Sequence, residues 1–320
     1  MRKGLFFILI FTLLSSSLPA QKRVVLQVTD LGDEALRLKI SYYSSIIVNE
    51  INRAWQNAGV PVFPDECLTE GAYSKILQLW KSSPFRIIVN DTRFKGIFTA
   101  MGYQIRGLPV EIQADTSVHL QAVINFGPEG KIENFHFAID YTVYKSLVDK
   151  SDSSEDQEKR KRMLDFIEDF RTAYNRKDLS LISCMYGDDV MIITGYVYTI
   201  TGDKMTLTGL SKEKVEYNIY DKKEYLLRLG KVFEKNHFVN VDFDTISIMR
   251  HPSLKNFYSV TLLQHWKSSS YGDDGWLFLA IEFISDKDML VHIRTWQPYL
   301  FNGLIFPRSE VFQLGNFEFR

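Results

Sequence analysis

Two hydrophobic periods alternate along this chain, and each change of period marks an element. Between residues 163 and 174 the apolar positions are Met163, Phe166, Ile167, Phe170, Ala173 and Tyr174, which lay one stripe along a helix of 3.6 residues per turn. The stripe stops near Asn175, and a shorter helix follows with Leu179, Ile182, Cys184 and Met185. The pair Asp188 and Asp189 breaks the pattern before a strand over 190–194. Upstream, a strand is predicted at 24–28, then a long helix capped by Asp33 with Leu36, Ile40, Tyr43, Ile47, Ile51 and Ala54 inward. Asn57-Ala58-Gly59 ends that helix, and Pro61 and Pro64 mark an extended arm. Thr69 opens a second helix facing Tyr73, Ile76, Leu77 and Trp80 inward, with Pro84 after its end.

Residues 85–140 read as strands. The stretches 85–89 and 103–113 come first, with Gly107 and Pro109 pointing to a bulge or an edge. Two more, 119–126 and 131–139, flank the hairpin turn Gly127-Pro128-Glu129-Gly130. The run KSDSSEDQEKRKR over 150–162 is a linker by composition in its first half. Its end joins the next helix, where Glu158 and Arg162 stand at i,i+4. Beyond it the pattern predicts strands at 196–201, 204–208 and 215–220, with a turn at Gly202 and Asp203. A helix capped by Asp221 follows, carrying Tyr225, Leu226, Leu229, Val232 and Phe233, and then strands at 241–249, 257–266, 276–284 and 289–296. The resulting division is a leader at 1–20, an N-terminal α+β domain at 21–149, a linker at 150–161, a second domain at 162–300 and an aromatic tail at 301–320 that packs back on a domain.

Composition narrows the function classes. A chain of 320 residues that is 45% hydrophobic is long enough for two cores. Its 38 basic and 39 acidic residues leave no electrostatic footprint for nucleic acid. The 14% aromatic content fits a β-rich core, or an apolar cavity lined by rings. Arg2 and Lys3, an apolar run at 5–14, and Leu18-Pro19-Ala20 compose a secretory signal peptide cleaved after Ala20. The run is too short for an ordinary membrane span, no cysteine at its exit supports a lipid anchor, and no later stretch is apolar enough to cross. The expected destination is the periplasm or the exterior. An oxidising compartment would permit a bond between Cys67 and Cys184, yet Cys184 lies in a helical apolar pattern, where a buried free thiol is the commoner state.

The sequence Ala173-Tyr174-Asn175-x-x-Asp178, followed by Met185-Tyr186-Gly187-Asp188-Asp189-Val190, resembles the opening of the nuclear transport factor 2-like (cystatin-like) superfamily. That superfamily includes ketosteroid isomerases and SnoaL-type cyclases. Asn125-Phe126-x-x-x-Gly130-Lys131-Ile132 is similar to its last hairpin, so the first half reads as a diverged second copy. The resemblance implies two tandem α+β domains, each with helices packed on a curved antiparallel sheet around a conical cavity. It also implies association through the open sheet face, a homodimer among the options. The overall layout, with its Thr295-Trp296-Gln297-Pro298 finish, resembles secreted proteins of gut Bacteroidetes, from which no activity carries over.

Ketosteroid isomerases move a proton with a carboxylate while a tyrosine and a protonated acid hold the enolate oxygen. The resemblance puts Phe170 at the tyrosine position and Thr194 at the base position, so two of three groups are missing. Asp188 with Asp189, and Asp273 with Asp274, read as turn residues. The six histidines form no metal-binding spacing, and no phosphate loop, serine elbow or cofactor motif is present. His265 and His292 fall on adjacent strands near Trp266, Arg294 and Trp296. Facing a cavity beside Glu282, either could act as acid or base, although alternation puts His265 and Trp266 on opposite faces. The candidate cavity set is therefore Phe166, Phe170, Tyr174, Thr194, His265, Glu282, His292 and Trp296. The reading favours a non-catalytic, cofactor-free protein that binds a small apolar ligand or a protein partner. Its alternative is an isomerase- or hydrolase-type enzyme using the C-terminal cavity.

Overall fold

A computed structural model describes residues 23–200, 212–285 and 288–319. The leader expected at 1–20, the turn at Gly202 and Asp203 and the strand expected at 204–208 lie outside the described residues. In chain order the first half contains β1 (Gln27–Thr29), α1 (Glu34–Gln56), α2 (Glu70–Ser82), β2 (Phe85–Ile87), β3 (Arg93–Lys95), β4 (Ile97–Thr99), β5 (Gly102–Ile112), β6 (Asp115–Phe126), β7 (Ile132–Phe137) and α3 (Tyr141–Val148). The second half contains α4 (Ser154–Asn175), α5 (Leu179–Met185), β8 (Tyr186–Ile200), β9 (Lys212–Tyr220), α6 (Lys222–Lys235), β10 (Val239–Arg250), β11 (Phe257–Ser268), β12 (Gly272–Phe283) and β13 (Met289–Pro298).

The helices start where side-chain oxygens can replace missing intrahelical acceptors. Asp33 accepts from the Leu36 amide, Thr69 from Ala72, Asp178 from Leu181 and Asp221 from Glu224. Ser41, Ser45 and Asn49, one turn apart on α1, also accept from the backbone amides of Val28, Leu26 and Val24. One edge of the first segment is thereby satisfied by a helix rather than a strand.

Strands β2, β5, β6 and β7 form an antiparallel sheet with β4 attached to β5, and the register of β5 shifts between Ile105 and Leu108, as Gly107 predicted. The second sheet runs β10-β11-β12-β13-β8-β9, antiparallel except where β13 meets β8. It is strongly bent, and its concave face takes α4 and α6. Tyr258, Val260, Leu262 and Trp266 of β11, and Leu277, Leu279 and Ile281 of β12, meet Phe170 and Tyr174 of α4 and Leu229 and Phe233 of α6 in one core. The fold is therefore α+β, with helices packed on curved, largely antiparallel sheets.

Three expectations change. The region 150–161 is not an open linker, because α4 begins at Ser154 and Asp156, Arg160 and Lys161 are buried. Asp156 binds Arg160 Nε at 2.8 Å and accepts from the Tyr258 hydroxyl at 2.7 Å. Two charges of the run, Asp156 and Arg160, are thus paired internally against β11. Cys67 is buried and Cys184 exposed, both as free thiols, so α5 turns Cys184 outward instead of burying it. Finally, the convex sheet face is not open. Leu263 and Trp276 pack with Phe306 and Val311, while Phe278, Ala280 and Ile293 pack with Leu314 beside Phe312, Phe317 and Phe319. The chain's own tail covers the surface on which a homodimer was expected.

Polar contacts tie the halves together. Arg106 on β5 meets Glu168 on α4 at 3.2 Å and Thr172 at 3.3 Å. Arg171 binds Glu168, Asp242 and the Ala138 carbonyl. Buried apolar side chains from both halves merge into one contiguous cluster.

Candidate functional site

Below α6, the concave face of the second sheet does not close completely. A cavity of about 570 Å³ remains there. Thr194 on β8, Trp266 on β11 and Arg294 and Trp296 on β13 supply its sheet side, and Tyr225, Leu229 and Val232 supply its helical side. Small residues make room for the rings. A Cβ on Gly275 would lie 2.2 Å from the Trp296 indole nitrogen, and one on Gly195 would lie 3.1 Å from the same ring. Without side chains at these two positions, the Trp296 indole can lie against the strands flanking it.

The cavity floor is polar. The Tyr174 hydroxyl bridges those of Tyr186, at 2.9 Å, and Tyr225, at 2.7 Å. Burial holds the Tyr174 and Tyr186 hydroxyls well above their ordinary pKa, so both are neutral. The Arg294 guanidinium stands 5.2 Å from the centre of the Tyr225 ring. Burial alone would lower its pKa, but the Tyr225, Tyr174 and Tyr186 hydroxyls outweigh that and raise it. At the rim, Asp273 accepts from the Tyr271 hydroxyl at 2.8 Å. Burial, then the like charge of Asp274, raises the Asp273 pKa against the pull of Tyr271 and Arg294. Lys231 and Lys235 of α6 line the same opening.

The sequence-derived set divides. Thr194 and Trp296 line the cavity, and Phe170 and Tyr174 pack beneath it. Phe166 instead borders a separate recess with Met185 and Met289. His265, Glu282 and His292 belong to the convex face, away from the cavity. The inward row of β11 runs through Leu262 and Trp266, leaving His265 on the face of Leu263. There His265 lies 2.7 Å from Asp274 and 2.9 Å from Asp244. His292 Nε2 sits 2.8 Å from Glu282 Oε2 without hydrogen-bond alignment, and its other nitrogen is 3.3 Å from Asp189. These polar groups are displaced outward because the inward rows of the central strands are apolar apart from Arg294 and Gln264.

Sequence reasoning named Arg294, Asp273 and Tyr225 but placed none of them at the cavity, reading Asp273 as a turn residue. A signal was there for the first two. Extending the inward row Ile281, Leu279, Leu277 backwards reaches Gly275 and Asp273, and Arg294 interrupts an apolar strand two residues before Trp296.

No family model matches this sequence, and no curated protein matches it. The structure is similar to a nuclear transport factor 2-like protein of unknown function from Pseudomonas putida, at 12% identity and a TM-score of 0.30, over 42% of this chain and 82% of that one. A protein of Bdellovibrio bacteriovorus aligns over 68% of this chain and 83% of its own, at 14% identity and a TM-score of 0.34. A cystatin-like protein of unknown function from Nostoc punctiforme aligns over 46% of this chain and 92% of its own, at 7% identity and a TM-score of 0.32. No activity carries over at this distance. Several of the solved structures this chain resembles are described as nuclear transport factor 2-like or cystatin-like proteins.

Proposed function

We propose that the C-terminal half binds a small molecule with an apolar, ring-shaped body in the cavity under α6, outside the cytoplasm. The observation that carries this reading is the space on the concave sheet face lined by the rings of Trp266, Trp296 and Tyr225. A protein partner on the convex sheet is the weaker option, since the tail occupies that face. Export rests on the pattern of the first twenty residues. Amino-terminal sequencing of protein made in a Gram-negative host is expected to begin at Gln21.

The binding test uses 2-naphthylmethanol, a neutral ring probe, followed by tryptophan fluorescence. Saturable quenching is expected for the wild type. Leu229→Trp, which fills the cavity from the helical side, should abolish it while the protein stays folded. Equal quenching by both proteins would remove the cavity as the site.

One observation favours a second, catalytic reading. Asp273 has a raised pKa and a tyrosine hydroxyl at 2.8 Å, which suits a proton-transferring group at the cavity mouth. Should turnover of any cavity ligand be found, Asp273→Asn must abolish it without weakening binding. Unchanged turnover in that variant would exclude Asp273 from the chemistry.

A further inference from the structure

Burying a guanidinium is costly unless a carboxylate and hydrogen-bond acceptors take up its charge. Four arginines are buried among the described residues: Arg106, Arg160, Arg171 and Arg294. Three follow the rule. Arg106 pairs with Glu168, Arg160 with Asp156, and Arg171 with both Glu168 and Asp242.

Arg294 does not. It is 5% exposed, and neither its Nε nor its Nη1 has a protein partner. Among the described residues no carboxylate lies within ion-pair distance of it. Its near neighbours are the hydroxyls of Tyr174, Tyr186 and Tyr225, and burial keeps the first two neutral, so neither offsets its charge. The rim adds to the imbalance, since two lysines, Lys231 and Lys235, and one carboxylate, Asp273, line it. Low-dielectric aromatic walls strengthen the field of such a charge at the cavity floor.

We propose that the ligand of this cavity is an amphipathic anion, an apolar ring system bearing a single acid group, and that the Arg294 guanidinium receives that acid. The proposal rests on the cavity being a binding site. Trp266 and Trp296 contact the ring body, and the acid supplies Arg294 with the partner that every other buried arginine already has. The same logic disfavours a cationic ligand, which would bring a second positive charge to the floor.

The test compares two probes of nearly equal shape, 2-naphthoate and neutral 2-naphthylmethanol, by calorimetric titration of the full chain. Wild-type protein is expected to bind the carboxylate at least about tenfold more tightly. Arg294→Met should erase that preference while still binding the neutral probe, and Arg294→Lys should retain part of it. Because Met removes a charge with no protein counter-ion, the Tm of Arg294→Met should equal or exceed that of the wild type. Equal wild-type affinity for the two probes would overturn the anion assignment and leave the cavity reading intact. Binding of neither probe would overturn both. A large fall in Tm for Arg294→Met would also overturn the proposal, since it would mean that the protein itself neutralises the guanidinium.

Discussion

Asp273 and Asp274 are adjacent on β12 and serve opposite faces of one sheet. Asp274 contacts His265 on the convex side, whereas Asp273 accepts from Tyr271 at the mouth of the concave cavity. This follows from the two-residue period of a strand, and it gives each carboxylate its own partners. Burial pulls the His265 pKa down, but Asp244 and Asp274 outweigh it and the net shift is upward. An imidazole raised in the folded state stabilises the protein fully below its unfolded pKa of about 6.5, and that contribution is lost as pH rises through the folded value. NMR titration should therefore place His265 above about 6.5, and Asp274→Asn should bring it down. A His265 pKa unmoved by that substitution would mean that the contact carries no charge.

The Tyr174 hydroxyl joins two others, so its loss differs from theirs. Tyr174→Phe removes both contacts of the bridging hydroxyl, to Tyr186 and to Tyr225, whereas Tyr225→Phe removes only one of those two. An unsatisfied buried hydroxyl costs about 1–3 kcal/mol. Urea denaturation should accordingly rank Tyr174→Phe as clearly more destabilising than Tyr225→Phe. The reverse order would show that the hydroxyls do not share a network.

Much of this architecture is legible in the one-dimensional pattern. The helical stripe from Met163 to Tyr174 does enter the core, and the caps at Asp33, Thr69, Asp178 and Asp221 are formed as their residue types require. The cavity was only half legible. The resemblance implied a place for Thr194 at the cavity and Trp296 stood near the two strand histidines, but a bulge between Ala280 and Ile281 shifts the pairing of β12 with β13. Which of several histidines and acids faces inward depends on such register. Long-range pairing hid the rest. Nothing in residues 150–162 says that Asp156 will meet Tyr258, 102 positions away.

Glu168 lies between Arg106 from the first half and Arg171 from its own helix, all three buried. Replacing it with alanine strands Arg106 in the interior without a carboxylate and leaves Arg171 with Asp242 alone. Breaking a buried pair from one side typically costs about 3–5 kcal/mol. Glu168→Ala should lose stability on that scale, and Glu168→Gln, which keeps an acceptor, should lose less. The contiguous core further predicts one cooperative transition for the whole chain, with fluorescence and circular dichroism coinciding. Two separated transitions would mean that the halves fold independently in spite of the Arg106 contact.

The tail makes the last prediction, because it covers the apolar sheet face on which association was expected. Phe306 and Val311 cover Leu263 and Trp276, and Leu314 covers Phe278 and Ile293. The Arg308 guanidinium stacks over the Trp276 ring at 4.0 Å. Gln297 fixes the segment at two points, donating to the Glu310 carbonyl at 3.0 Å and accepting from the Phe312 amide at 2.7 Å. Ending the chain at Pro298 would leave an apolar sheet face in water, and contiguous patches of that kind drive association. Light scattering behind size exclusion should show the full chain as smaller than the truncated one, which should dimerise or aggregate. Gln297→Ala should loosen the tail in the same direction with a smaller effect, detected as faster proteolysis beyond Tyr299. A truncated chain that stays monomeric with an unchanged Tm would show that the tail's cover contributes nothing to keeping the face solvated.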